Sequence, residues 1–175
     1  MHILATTSSS LDDLIEPVDL DQSPADVVVL SFSGSDLNGL SAGWDRQGMV
    51  SLSVANLSEL RHPMSVDLWL DKTASRAKVI LVRILGGYDR WQYGVEELSR
   101  LARQKNLKLV LLPGECSVRD DRLAAASTVS SQEQTAILAC FREGGPDNMR
   151  LLAHRLVALA TDQTVEPAAA TAMPQ

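Results

Sequence analysis

Short apolar runs alternate with longer segments of helical period along most of this chain, and that alternation confines it to the α/β class. The runs are His2–Ala5, Val27–Ser31, Val50–Asn56, Val79–Ile84 and Lys108–Leu112. They are brief, β-branched in places and bounded by turn-forming residues, which is the pattern of strands buried inside a sheet. Strands separated by helices run parallel and are joined by right-handed crossovers, so helices cover both faces. The expectation is a five-stranded parallel sheet in a flavodoxin-like three-layer sandwich, with strand order 2-1-3-4-5.

The helical segments carry their own boundaries. From Pro63, the residues Val66, Trp69, Leu70, Thr73, Ala74 and Ala77 fall on one helical face, and proline suits the first helical position because its missing N–H leaves nothing unpaired there. A second helix runs from about Trp91 to Lys105, with Val95, Leu98, Leu101 and Ala102 inward and Asn106 as a left-handed cap. Glycines at 34, 39, 43 and 48 weaken the stretch after Val27–Ser31, where a short helix over about Asp36–Gly43 is expected. Two more helices, about Ser131–Glu143 and Pro146–Ala160, are separated by Gly144-Gly145-Pro146, glycine past one end and proline inside the next. Residues 1–160 therefore read as one domain, and the Ala-, Thr- and Pro-rich stretch 161–175 as a flexible tail or linker.

At 175 residues with 45% apolar content, such a domain can bury a full core without metal or disulfide staples. Cys116 and Cys140 have no metal-ligand spacing and read as two reduced thiols. A net charge of −6 without a basic, aromatic-interleaved surface excludes nucleic acid as a partner. No run approaches the ~18 apolar residues of a membrane span, and Met1–Thr7 lacks the basic start of a signal peptide, so no membrane association and a cytoplasmic location are expected.

In an open parallel sheet, ligands sit beyond the carboxyl ends of the strands. The loops Thr6–Ser10, Asn56–His62, Leu85–Trp91 and Pro113–Ser117 are expected at that edge. Arg61 can clamp a carboxylate or amide. His62 precedes the Pro63 helix, where it either caps the helix or serves as a neutral ligand or base. Gly86-Gly87 permit a tight strand-to-helix turn, and Tyr88, Trp91 and Tyr93 offer a flat apolar wall or anchor helix to sheet. These seven residues form the candidate ligand-binding or docking surface. No catalytic residue and no metal ligand is assigned: there is no Gly-x-Ser-x-Gly elbow, Walker loop or His-Glu-x-x-His helix, and Glu96-Glu97 is read as helix-entry charge.

Several stretches, taken in order, carry a resemblance: Ala55-Asn56-Leu57, Leu60 to Leu68, Arg83 to Glu97, Leu112-Pro113-Gly114, and the Phe141 to Asn148 junction. Together they resemble the amino-terminal region of the large, corrin-binding subunit of aerobic cobaltochelatase, a relative of the magnesium chelatase large subunit. The resemblance implies a part in ATP-dependent cobalt insertion into hydrogenobyrinic acid a,c-diamide during aerobic cobalamin biosynthesis. It implies as partners the remainder of the large subunit, an AAA+ subunit and a second small subunit, with the corrin as a candidate ligand. Cobalt and ATP would be used by the full complex, and this chain itself would hold no cofactor. The family's large subunit is many times longer, so the expectation for this piece is binding or docking rather than catalysis. Two alternatives stand beside it: an autonomous flavodoxin-like cofactor binder using Thr6–Ser10 and Leu85–Trp91, and a ligand-free structural domain.

Overall fold

In the computed structural model, which describes residues 16–44, 49–116, 119–163 and 170–172, four strands alternate with helices. They are β1 (Val27–Ser31), α1 (Gly34–Gly43), β2 (Leu52–Asn56), α2 (Pro63–Lys72), β3 (Val79–Ile84), α3 (Gln92–Lys105), β4 (Lys108–Pro113), α4 (Asp121–Ala126), α5 (Ser131–Glu143) and α6 (Gly145–Ala160). All pairings are parallel and the order is β2-β1-β3-β4. The five-stranded expectation is corrected here to four strands, and the expected order with it, since Val27–Ser31 pairs directly with both Leu52–Asn56 and Val79–Ile84. The run proposed as the first strand, His2–Ala5, lies outside the described residues. On the far side of β4, the flank where a further strand would pair is taken by Ser127 and Thr128. Thr128 Oγ1 accepts from Leu109 N at 2.7 Å, Ser127 Oγ accepts from Leu111 N at 2.9 Å, and Thr128 N donates to Leu109 O at 2.8 Å. Side-chain hydroxyls thus satisfy the backbone donors that an edge strand leaves open.

Alternate residues of each strand feed opposite faces, as a pleated strand requires. Val28, Leu30, Ile80, Val82, Leu109 and Leu111 pack with α2 and α3, whose Val66, Trp69, Val95 and Leu98 are buried. Val27, Val29, Val79, Leu81 and Val110 pack on the other face with α1, α5 and α6 through Leu40, Ile137, Phe141, Leu152 and Leu156. The result is three layers. β1 and β3 are buried at every residue, which explains why each opens with four consecutive apolar residues, Val27–Leu30 and Val79–Val82.

The boundaries follow local chemistry. Pro63 is at the first helical position of α2, Asn106 adopts the left-handed conformation at φ 53° after α3, and Gly144, at φ 65°, closes α5. The short helix α4 was not expected from sequence; its cap is Asp120, whose carboxylate accepts from the backbone N–H of Arg122 and Leu123. Thr171 exchanges two hydrogen bonds with Asn148 on α6, at 2.8 and 3.0 Å, and Ala170 packs against the second core.

Candidate functional site

The helix after β1, α1, packs on one face of the sheet and the helix after its neighbour β3, α3, on the other, so the carboxyl ends of β1 and β3 form the topological switch point of the sheet. This is where an open α/β sheet splays its loops apart. A cleft of about 740 Å³ opens there, within the size range of small-molecule sites. Phe32, directly after β1, and Leu57, Arg61 and His62, after β2, line one part of it; Leu85 and Trp91, after β3, line another.

His62 is the N-cap of α2. Its Nδ1 accepts from the Met64 N–H at 3.1 Å, which commits one ring nitrogen to the helix and leaves Nε2 as the other. The capping alternative of the sequence reading is therefore the geometry observed. Arg61 is exposed at the rim.

Trp91 anchors α3 and also reaches the cleft. It is only 7% exposed within the core, and its Nε1 donates to Leu60 O at 2.8 Å, joining α3 to the loop before α2, while part of it lines the cleft. The indole lies over Gly94, where an added Cβ would come within 2.2 Å of ring atom Cε2. Tyr93 is half-exposed and its hydroxyl donates to Asp67 Oδ1 on α2. That carboxylate stabilises the neutral phenol and, with some burial, pushes the Tyr93 pKa up to about 12. Arg61, His62, Trp91 and Tyr93 are thus brought together at the cleft.

Gly86, Gly87 and Tyr88 are not among its lining residues. The two glycines have φ of 85° and 72° and turn the chain sharply after β3. At Gly87 a Cβ would meet Asp120 Oδ2 at 2.4 Å, the atom that accepts from Tyr88 N at 2.9 Å. Tyr88 donates its hydroxyl to Glu96 at 2.7 Å, which raises the Tyr88 pKa, and Arg122 lies 4.5 Å over its ring. Arg122 also grips Asp89 through two bonds of 2.9 and 2.8 Å, holding that carboxyl below its usual range. The 3₁₀ turn Tyr88–Arg90 is latched to α4 by these contacts.

Sequence reasoning overlooked Phe32, although every parallel strand ends at the same edge and the residue after β1 follows from that rule. It also overlooked Arg83, buried at the end of β3. Arg83 Nη1 pairs with Asp36 Oδ2 at 2.7 Å and Nη2 donates to Gly114 O at 2.8 Å. Its guanidinium lies over the rings of Phe32, at 5.4 Å, and Phe141, at 4.9 Å. A buried cation thereby backs the Phe32 that lines the cleft.

Among the described residues no group of three or more His, Cys, Asp or Glu side chains could hold a metal ion, and no helix is long and apolar enough to cross a membrane. Both cysteines are free, and burial raises the pKa of Cys140. The Thr6–Ser10 loop invoked for a flavin phosphate lies outside the described residues.

No family model matches the chain. It is 38% identical over 162 residues to the aerobic cobaltochelatase subunit CobN of a Sinorhizobium species, covering 92% of this chain and 13% of that protein. It is also 33% identical over 152 residues to the CobN of Pseudomonas aeruginosa, covering 85% and 12%. The solved structure of the catalytic subunit of cobaltochelatase from Mycobacterium tuberculosis superposes with a TM-score of 0.65 at 26% identity, over 86% of this chain and 12% of that one. The match is to the CobN family. The chain matches the amino-terminal region of these cobaltochelatase subunits and spans about one eighth of the length of the CobN relatives it matches.

Proposed function

We propose that this chain acts as the leading domain of a cobaltochelatase large subunit, handling the corrin rather than inserting the metal. In this reading it takes part in ATP-dependent cobalt insertion into hydrogenobyrinic acid a,c-diamide, with the remainder of the large subunit and two smaller subunits, one of them an AAA+ motor, supplying the rest. The observation that carries the reading is the cleft at the switch point, where Arg61, His62 and Trp91 from two different loops meet around an apolar floor. The test is titration of the purified chain with hydrogenobyrinic acid a,c-diamide, followed by corrin absorbance. Saturable binding weakened by Arg61→Ala or His62→Ala supports the reading; absence of binding removes the corrin from this domain.

A second reading, docking against the rest of the large subunit, is favoured by α2. Met64 is 62% exposed and Leu68, one turn on, is 37% exposed, so the helix turns an apolar pair to solvent beside the cleft. Co-purification of this chain with a separately expressed remainder of the large subunit, lost in Met64→Lys/Leu68→Lys, is the expected result. Undiminished association of that double variant would refute docking through α2.

A further inference from the structure

Arg83 has one donor unused. Its side chain is 8% exposed, and Nη1 pairs with Asp36 Oδ2, an oxygen that also accepts from Ser31 Oγ at 2.9 Å. The opposite edge of the planar guanidinium carries Nε and Nη2, whose N–H bonds run side by side. Nη2 donates to Gly114 O at 2.8 Å and to Cys116 Sγ at 3.2 Å. Among the described residues nothing accepts from the buried Nε. An unsatisfied donor on a buried cation is costly, and a thiol sulfur is a weak acceptor, so this edge lacks an oxygen. The sulfur beside it is within reach of solvent: Cys116 is a free, half-buried thiol, whereas Cys140 is fully buried.

We infer that Cys116 is a site of oxidation by hydroperoxides, with the unused Nε–H of Arg83 receiving the oxygen that the sulfur gains. The sulfur attacks one oxygen of the hydroperoxide and the O–O bond breaks. The departing oxygen takes the thiol proton and leaves as water or an alcohol, and the cysteine remains as a sulfenic acid. Sulfur is oxidised by two electrons and the hydroperoxide is reduced by the same two. Negative charge gathers on oxygen as the O–O bond breaks, and a donor already fixed beside it stabilises that charge without reorganisation. The same guanidinium lies over Phe32, a lining residue of the cleft, so the modified sulfur stands directly behind the cleft wall. The inference is independent of what the cleft binds.

The test exposes the full chain to hydrogen peroxide with excess dimedone, which traps sulfenic acids, and follows each cysteine peptide by mass spectrometry, counting any oxygen gained together with the adduct. Cys116 should react about tenfold faster in the folded chain than in the urea-unfolded one, the weight of one charge-assisted hydrogen bond, although folding half-buries it. Cys140 should stay unmodified as long as the protein is folded and so reports on folding in the same spectrum. Asp36→Ala/Arg83→Met, which removes the donor together with its counter-charge, should lower the Cys116 rate to that of the unfolded chain or below. A Cys116 rate no higher in the folded chain than in urea overturns the inference. So does a double variant that reacts as fast as the parent with Cys140 still protected. If the double variant unfolds, Cys140 becomes labelled, and the comparison of the folded parent with the urea-unfolded chain decides.

Discussion

Replacing Gly94 by alanine tests the packing that connects α3 to the cleft. In an exposed helix interior the change would stabilise the protein by about 1 kcal/mol, because alanine has the higher helix propensity. Here the new Cβ would sit 2.2 Å from the Trp91 indole, against the ~3.5 Å of ordinary carbon contact. The ring would have to recede by about 1 Å, and overpacking of this kind costs about 1–3 kcal/mol. Recession also pulls Nε1 away from Leu60 O, a buried bond of 2.8 Å, and a buried partner left unsatisfied costs about 1–3 kcal/mol more. Set against the propensity gain, the net expectation is a loss of about 1–5 kcal/mol, read as a lower urea midpoint by circular dichroism. The decisive control is Trp91→Ala, which removes the obstacle: in that background Gly94→Ala should become neutral or stabilising, giving a large coupling in the double-mutant cycle. A single Gly94→Ala variant as stable as the parent, or additive effects in the cycle, would refute the reasoning.

Three further expectations follow from the same geometry. The Tyr93 phenol should titrate near 12 in ultraviolet difference spectra, and Asp67→Asn should return it toward the ordinary ~10; since the folded pKa is the higher one, its contribution to stability is complete below about pH 10 and is lost as the pH rises through about 12. Asp36→Ala should cost about 3–5 kcal/mol in denaturant unfolding, because it strands the buried Arg83 charge, and adding Arg83→Met should recover much of that loss. Gly87→Ala should destabilise by about 1–3 kcal/mol, since φ of 72° disfavours a Cβ and that atom would collide with Asp120; hydrogen exchange at the Tyr88 amide should quicken, and unchanged exchange would argue that the turn tolerates a side chain.

The parts of the fold that were legible in sequence are those whose cause is local. Val27–Ser31 and Val79–Ile84 are strands end to end as expected, because a strand buried on both faces must be apolar at consecutive positions. Pro63 and Asn106 marked a helix start and a helix end because each has a backbone preference of its own. The strand count was not legible, since Ser127 and Thr128 look like any polar connection and take the β4 flank only through tertiary placement. Arg83 was hidden for a similar reason: its partner Asp36 lies 47 positions away, and nothing near it in sequence announces a buried ion pair. At the site, the meeting of Arg61 and His62 with Trp91 and Tyr93 follows from the rule that parallel strands end at one edge, whereas Tyr88 turns away from the cleft because Glu96 and Arg122 capture it.

The hydroxyl seal on β4 gives the sheet a direction of growth. With Ser127 and Thr128 occupying the backbone donors of Leu109 and Leu111, no outside strand can add beside β4 without first displacing them. At the opposite margin β2 is half-buried along its whole length and pairs only with β1 among the described residues. Any extension of this sheet by another stretch of polypeptide is thereby steered to the β2 side, next to the loop that carries Arg61 and His62.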